Sequence, residues 1–96
     1  MNPYEIIKRP VDTEKTRYQA AQGQYVFEVA RQANKIEVRR AIESIYGVDV
    51  TSVNMMVMPA KGNKRSGRRR IVRRASWKKA IVTLAEGQQL DVFEGV

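Results

Sequence analysis

The chain of 96 residues contains no cysteine and no histidine. Without cysteine there is no disulfide framework and no thiolate zinc site. Without histidine the commonest general base and the commonest metal ligand are missing. Ser-His-Asp and Cys-His nucleophile arrangements are therefore excluded. Long apolar runs are missing too. The longest, Met55–Ala60, is far short of the roughly 20 residues that a membrane-spanning helix needs. The opening M-N-P-Y-E-I-I-K-R-P has no apolar stretch behind a basic start, so no signal peptide is expected. The acids are scattered rather than paired. The phosphate-loop pattern G-x-x-x-x-G-K-S/T is absent: Gly62 and Gly67 have the spacing, but Arg68 and Arg69 follow. No catalytic constellation, metal site or cofactor is expected. The chain reads as a soluble, cytoplasmic protein that is not an enzyme and does not insert in membranes.

What is present is folded-protein composition with one extreme segment. Apolar residues make up 43%, enough for a packed body, and the length suits one domain over 1–96. Lys61–Lys79, K-G-N-K-R-S-G-R-R-R-I-V-R-R-A-S-W-K-K, holds ten of the eighteen Lys and Arg residues and no acid. Residues 1–60 carry eight basic and seven acidic side chains, and residues 80–96 carry three acids and no base. The net charge of +8 is thus one cationic segment on a nearly neutral body. Such density repels itself unless a polyanion neutralises it. Nucleic acid fits, because each neutralised phosphate releases condensed counterions.

Tyr4–Arg9 is β-prone and stopped by Pro10, which predicts a short strand. Asp12 or Thr13 can cap a helix over 13–21 that Gly23 ends. Its apolar residues are only Tyr18, Ala20 and Ala21, so it belongs on the surface. Residues 25–30 alternate, with Tyr25, Phe27 and Val29 on one face and Val26, Glu28 and Ala30 on the other, and predict a strand. Asn34 and Glu37 have capping-box spacing. Ile36, Ala41, Ile42, Ile45 and Tyr46, broadened by Val38, then mark a helix over 35–46 closed by Gly47. The β-rich run 48–58 changes phase near Ser52, which a bulge explains; burial on both faces is the competing explanation. Pro59 ends it. Residues 77–84 predict the last strand, with Ala80, Val82 and Leu84 on one face, before a turn at Gly87–Gln88. The order β-α-β-α-β-β predicts an α+β fold, an antiparallel sheet with helices packed on it. Its last hairpin carries an unusually long basic connection, 61–76.

Within that connection Gly62, Ser66 and Gly67 allow the backbone to approach phosphates. Arg68, Arg69 and Arg70 offer planar forks for phosphate oxygens. Alone in water the segment is expected to be largely disordered. The bland alternatives are a solvated charge run or a nuclear-import tag. Trp77 either stacks on a base or anchors the edge of the core. Lys79 shares its face and Lys78 has the opposite one. Lys35 adds charge at the start of the 35–46 helix, whereas Arg39 and Arg40 read as an ordinary solvated helix face. The acid of Thr13-Glu14-Lys15 complements a helix N-terminus and alone suggests no function. Met55, Met56 and Met58 read as core filler.

Several segments together resemble bacterial ribosomal protein L23 of the large subunit. They are I-I-K-R-P-V at 6–11, T-E-K at 13–15, Y-V-F-E-V at 25–29 and A-N-K-I-E-V at 33–38. A-I-E-S-I-Y-G-V-D-V at 41–50, S-V-N at 52–54, G-x-x-K-R-x-G-R at 62–68 and W-K-K-A-I-V-T-L at 77–84 follow in order. The resemblance implies a four-stranded antiparallel sheet with a long basic hairpin arm. It implies binding to 23S rRNA beside the polypeptide exit tunnel, next to neighbouring large-subunit proteins. The RNA-binding residues would be Lys35, Lys61, Lys64, Arg65, Arg68, Arg69 and Arg70, with Arg73, Arg74, Trp77, Lys78 and Lys79. It also implies a docking surface for trigger factor and the signal recognition particle around Thr13 and Glu14. Asp12 stands where relatives commonly have an apolar residue, and R-R-R-I-V-R-R replaces a tip richer in glycine. RNA would be recognised by shape and backbone.

The competing reading is an architectural DNA-binding protein with a basic β-arm, similar to the HU class. Such arms carry an apolar wedge near the tip, for which only Ile71 and Val72 are candidates. A homodimer would favour that reading, and a monomer outside the ribosome the first. A pure protein-docking adaptor would leave the arm dispensable.

Overall fold

The helix over 35–46 forms where the sequence says it should, because both ends are chemically marked. The Asn34 side chain accepts from the Glu37 N–H at 2.9 Å, and the Glu37 carboxylate accepts from the Asn34 N–H at 3.1 Å. At the other end Gly47 adopts φ +67° and its N–H reaches the Glu43 carbonyl. The computed structural model describes residues 2–59, 61–63, 71–74, 76–90 and 92, the two short stretches 61–63 and 71–74 as backbone. The elements are α1 (Pro3–Ile6), β1 (Ile7–Pro10), α2 (Glu14–Ala21), β2 (Gln24–Val29), α3 (Lys35–Tyr46), β3 (Val50–Met58), β4 (Lys61–Asn63), β5 (Ile71–Arg74) and β6 (Trp77–Leu84). This is an α+β fold.

The main sheet runs β1-β2-β6-β3, antiparallel throughout. Register places Tyr25 opposite Val82 and Phe27 opposite Ala80, and on the other flank Val53 opposite Val82. These residues share the face that α3 covers with Val38, Ala41 and Ile42. Phe27, Val38, Ile42, Ala80 and Val82 are completely buried. Phe27 also meets the Tyr46 ring, with centroids 6.2 Å apart. The phase change in the 48–58 run is a bulge: pairing with β6 slips between Val50 and Ser52. The extra residue returns Val50 and Val53 to the same buried face.

The sequence-based expectations need correction in three places, at Tyr4–Arg9, Ile36 and Met56. Tyr4–Arg9 is not one strand. Asn2 accepts from the Tyr4 N–H at 2.9 Å with Pro3 at the first helical position, so a single turn precedes a strand that starts at Ile7. Ile36 is 62% exposed while Val38 is buried, so the buried stripe of α3 runs through Val38, Ala41 and Ile42. Val26, on the opposite face of β2 as the alternation predicts, is buried where α2 packs against that strand. Met55 packs against the core, but Met56 is 39% exposed on the outer face.

Candidate nucleic-acid interface

The arm grows out of the two strands that carry it. Met58 opposite Trp77 is the last pair of β3 and β6. Pro59, with no N–H, ends the main ladder there. Beyond it β4 and β5 form a second antiparallel ladder, with Lys61 opposite Arg74, Gly62 opposite Val72 and Asn63 opposite Ile71. At the base of the connection the backbone is thus paired. Arg73 lies in the same short strand. Lys64, Arg65, Arg68, Arg69 and Arg70 fall outside the described residues.

At the arm's foot Trp77 is half-buried, with Lys79 on the same face of β6. Lys79 lies opposite Glu28 on one side and Met56 on the other. The Glu28 carboxylate holds the Arg9 guanidinium at 2.8 Å. Lys78 faces the helix side, as alternation predicts. Its ammonium donates to the carbonyls of Ala33 at 2.6 Å and Arg31 at 3.3 Å. The Arg31 guanidinium in turn donates to the Ser76 hydroxyl. The connection between β2 and α3 is thus tied to the arm's foot. Lys35, exposed at the start of α3, lies next to that tie. Lys35, Trp77, Lys78 and Lys79 therefore gather at the end of the sheet from which the arm leaves. Arg39 sits 3.7 Å from Glu43 one turn on, and Arg40 is exposed, in keeping with a solvated helix face. Arg31 and Ser76 carried no signal in the sequence, because they lie 45 residues apart.

The start of α2 is built differently. The Thr16 N–H donates to the Thr13 hydroxyl at 3.2 Å, and the Thr13 N–H donates to Thr16 Oγ1 at 2.8 Å. This reciprocal cap uses Thr16 where a Glu or Gln is usual. Glu14, the first helical residue, is exposed. Beside it Asp12 takes two hydrogen bonds from Arg17, at 2.6 and 3.0 Å. That pairing holds the Asp12 carboxyl below its ordinary range and pushes the Arg17 guanidinium further up. An acid at position 12 thus has a local partner one turn into the helix. The chain leaves the sheet for α2 at Val11, whose N–H reaches the Val26 carbonyl. Val26 pairs with Ile81, roughly 13 Å along β6 from Trp77 at ~3.3 Å per residue. Thr13 and Glu14 thus stand away from the arm, towards the other end of the sheet. No helix among the described residues is long and apolar enough to cross a membrane.

A sequence model of the family Ribosomal protein L23 matches residues 5–92. The chain is 48% identical over 96 residues to large ribosomal subunit protein uL23 of Dehalococcoides mccartyi, covering all of both chains. It is 50% identical over 95 residues to the uL23 of a Roseiflexus species, covering 99% of each. Against the uL23 of Symbiobacterium thermophilum the identity is 44% over 96 residues, again covering both chains fully.

Proposed function

Because the chain belongs to the ribosomal protein L23 family, a structural and non-enzymatic constituent of the large ribosomal subunit, we propose that it binds 23S rRNA with its basic arm beside the polypeptide exit tunnel. One observation carries this reading. Ten cations and no acid lie in a segment whose two described stretches beyond β3 and before β6, Lys61–Asn63 and Ile71–Arg74, pair as an antiparallel ladder. Lys61, Lys64, Arg65, Arg68, Arg69, Arg70, Arg73 and Arg74 neutralise crowded phosphates, with Lys35, Lys79 and the half-buried Trp77 meeting RNA at the arm's foot. Lys78 belongs to the same cluster, with its ammonium turned to the carbonyls of Ala33 and Arg31. The body is a rigid platform that fixes where those charges stand. RNA is recognised by shape and backbone.

The surface around Thr13 and Glu14 is the docking site for trigger factor and the signal recognition particle. An exposed acid on a rigidly capped helix start, away from the arm, supports a site that stays accessible while the arm is buried in RNA. Neighbouring large-subunit proteins complete the environment. Outside the ribosome the protein is a cytoplasmic monomer. The architectural DNA-binding alternative finds no support in relatives that carry the large-subunit name.

The test is sedimentation of tagged protein from gently lysed cells, followed by a high-salt wash. Retention on the large subunit through the wash is the expected result. Recovery with chromosomal DNA, as a dimer released by salt, would overturn the reading.

A further inference from the structure

Two cations at the foot of the arm, the exposed Arg31 and the half-buried Lys78, are held by hydrogen bonds to the protein itself. Lys78 leaves β6 on the face that α3 covers, and its ammonium caps two backbone carbonyls of the connection between β2 and α3. Ala33 is completely buried, so its carbonyl needs an internal donor, and Lys78 supplies one at 2.6 Å. Arg31 reaches back from the same connection to Ser76, the residue before β6 begins. The connection is itself fixed. The Ala30 N–H donates to the Ile6 carbonyl at 2.9 Å, the Ala33 N–H to the Ala30 carbonyl at 3.1 Å, and Asn34 closes the cap of α3. Just past the end of β3, Pro59 removes a ladder donor at the junction of body and arm.

We propose that Arg31, Ser76 and Lys78 form a clasp that sets the direction in which the arm leaves the body. Arg31 and Lys78 are then positioning residues rather than phosphate contacts, although both are cationic and adjoin the arm. The proposal rests on the reading that the arm binds rRNA. An arm aimed in advance loses less freedom on binding than one that swings about Pro59, and that difference appears as affinity. A phosphate contact is distinguishable from an aiming device, because only the contact releases counterions.

The experiment uses the full chain. With no native cysteine, Val72→Cys in the arm and Ser44→Cys on α3 accept a unique pair of spin labels. The distance distribution is measured in the free protein with and without Lys78→Met. Ser76→Ala, which removes only the Arg31 limb, is a milder second variant should Lys78→Met impair folding. Affinity for a 23S rRNA transcript is then followed against salt without labels. The clasp predicts a broadened distance distribution for both variants. It also predicts a loss of affinity of about threefold to tenfold with an unchanged salt slope. A distribution as narrow as that of the parent protein overturns the proposal. So does a slope lowered by the roughly 0.7–0.9 that one lost phosphate contact produces. Should the parent fail to bind rRNA, the proposed function falls, while the distances in the free protein still decide the clasp.

Discussion

Thr13 and Glu14 are neighbours in one motif, yet the structure separates their effects, and a pair of variants tests the separation. Thr13→Ala removes the hydroxyl that accepts the Thr16 N–H at 3.2 Å. It leaves the Thr16 N–H, on a residue 6% exposed, without its acceptor, while the Thr16 hydroxyl keeps its bonds to the Thr13 N–H and carbonyl. Loss of such a cap costs about 1 kcal/mol, which lowers the melting temperature of a domain this size by about 4–8 °C. Glu14→Ala leaves every bond of the cap in place. It removes only the attraction of an exposed acid for the helix N-terminus, about 0.3–1 kcal/mol. The stronger helix preference of alanine offsets this by several tenths of a kcal/mol. The net change in melting temperature should stay within about 4 °C and below the fall for Thr13→Ala. Binding of trigger factor to ribosomes carrying each variant gives the opposite ranking. Glu14→Ala should weaken recruitment while rRNA affinity is unchanged, and Thr13→Ala, which keeps the acid, should recruit better than Glu14→Ala. If Glu14→Ala melts as low as Thr13→Ala, the division of labour at the cap is wrong. If Glu14→Ala ribosomes bind trigger factor as well as the parent, Glu14 has no part in docking.

Changing Arg68, Arg69 and Arg70 together to Ala should weaken rRNA binding and flatten its salt dependence by about two to three units of slope; an unchanged slope in a filter-binding titration would remove the arm from the mechanism. Burial raises the Tyr46 hydroxyl above its ordinary value of 10.0, and Tyr4 adds to the shift. The unfolded chain therefore ionises first as pH rises, so this contribution is intact below pH 10 and is lost above it. Tyr46→Phe keeps the contact with Phe27 and should make the alkaline fall of the denaturant midpoint shallower; identical limbs for both proteins would contradict this. Gly47→Ala should destabilise the fold by about 1 kcal/mol. Nothing lies within 4 Å of an added Cβ there, so the cost is conformational alone, and Gly47→Asn should recover part of it in the same unfolding assay.

The sequence makes some of these features legible and conceals others for physical reasons. The limits of α3 are readable because Asn34, Glu37 and Gly47 act on residues within one turn of themselves. The bulge in β3 is readable because a period of two must change phase wherever a residue is inserted. The burial of Val26 is not readable, since the helix that covers it offers a buried threonine and part of Ala20 rather than an apolar stripe. The turn at Pro3–Ile6 is concealed by β-prone residues whose preference the Asn2 cap overrides. At the candidate site the cationic segment and the facing of Lys78 and Lys79 follow from residue order alone. The ladder of β4 and β5 does not, because it lacks apolar alternation and takes its register from the hairpin beneath it. The capture of the Lys78 ammonium depends on carbonyls 45 and 47 residues away, which no local pattern encodes.

The position of β6 also has a mechanical meaning. The strand lies between β2 and β3 and pairs with both along its length, while the arm leaves from its first residue. A force drawing the arm outward along the strand axis therefore loads the ladder between β6 and β2 in shear, many hydrogen bonds at once. Peeling would load them one after another. The protein is built to resist traction along its arm far better than leverage across it.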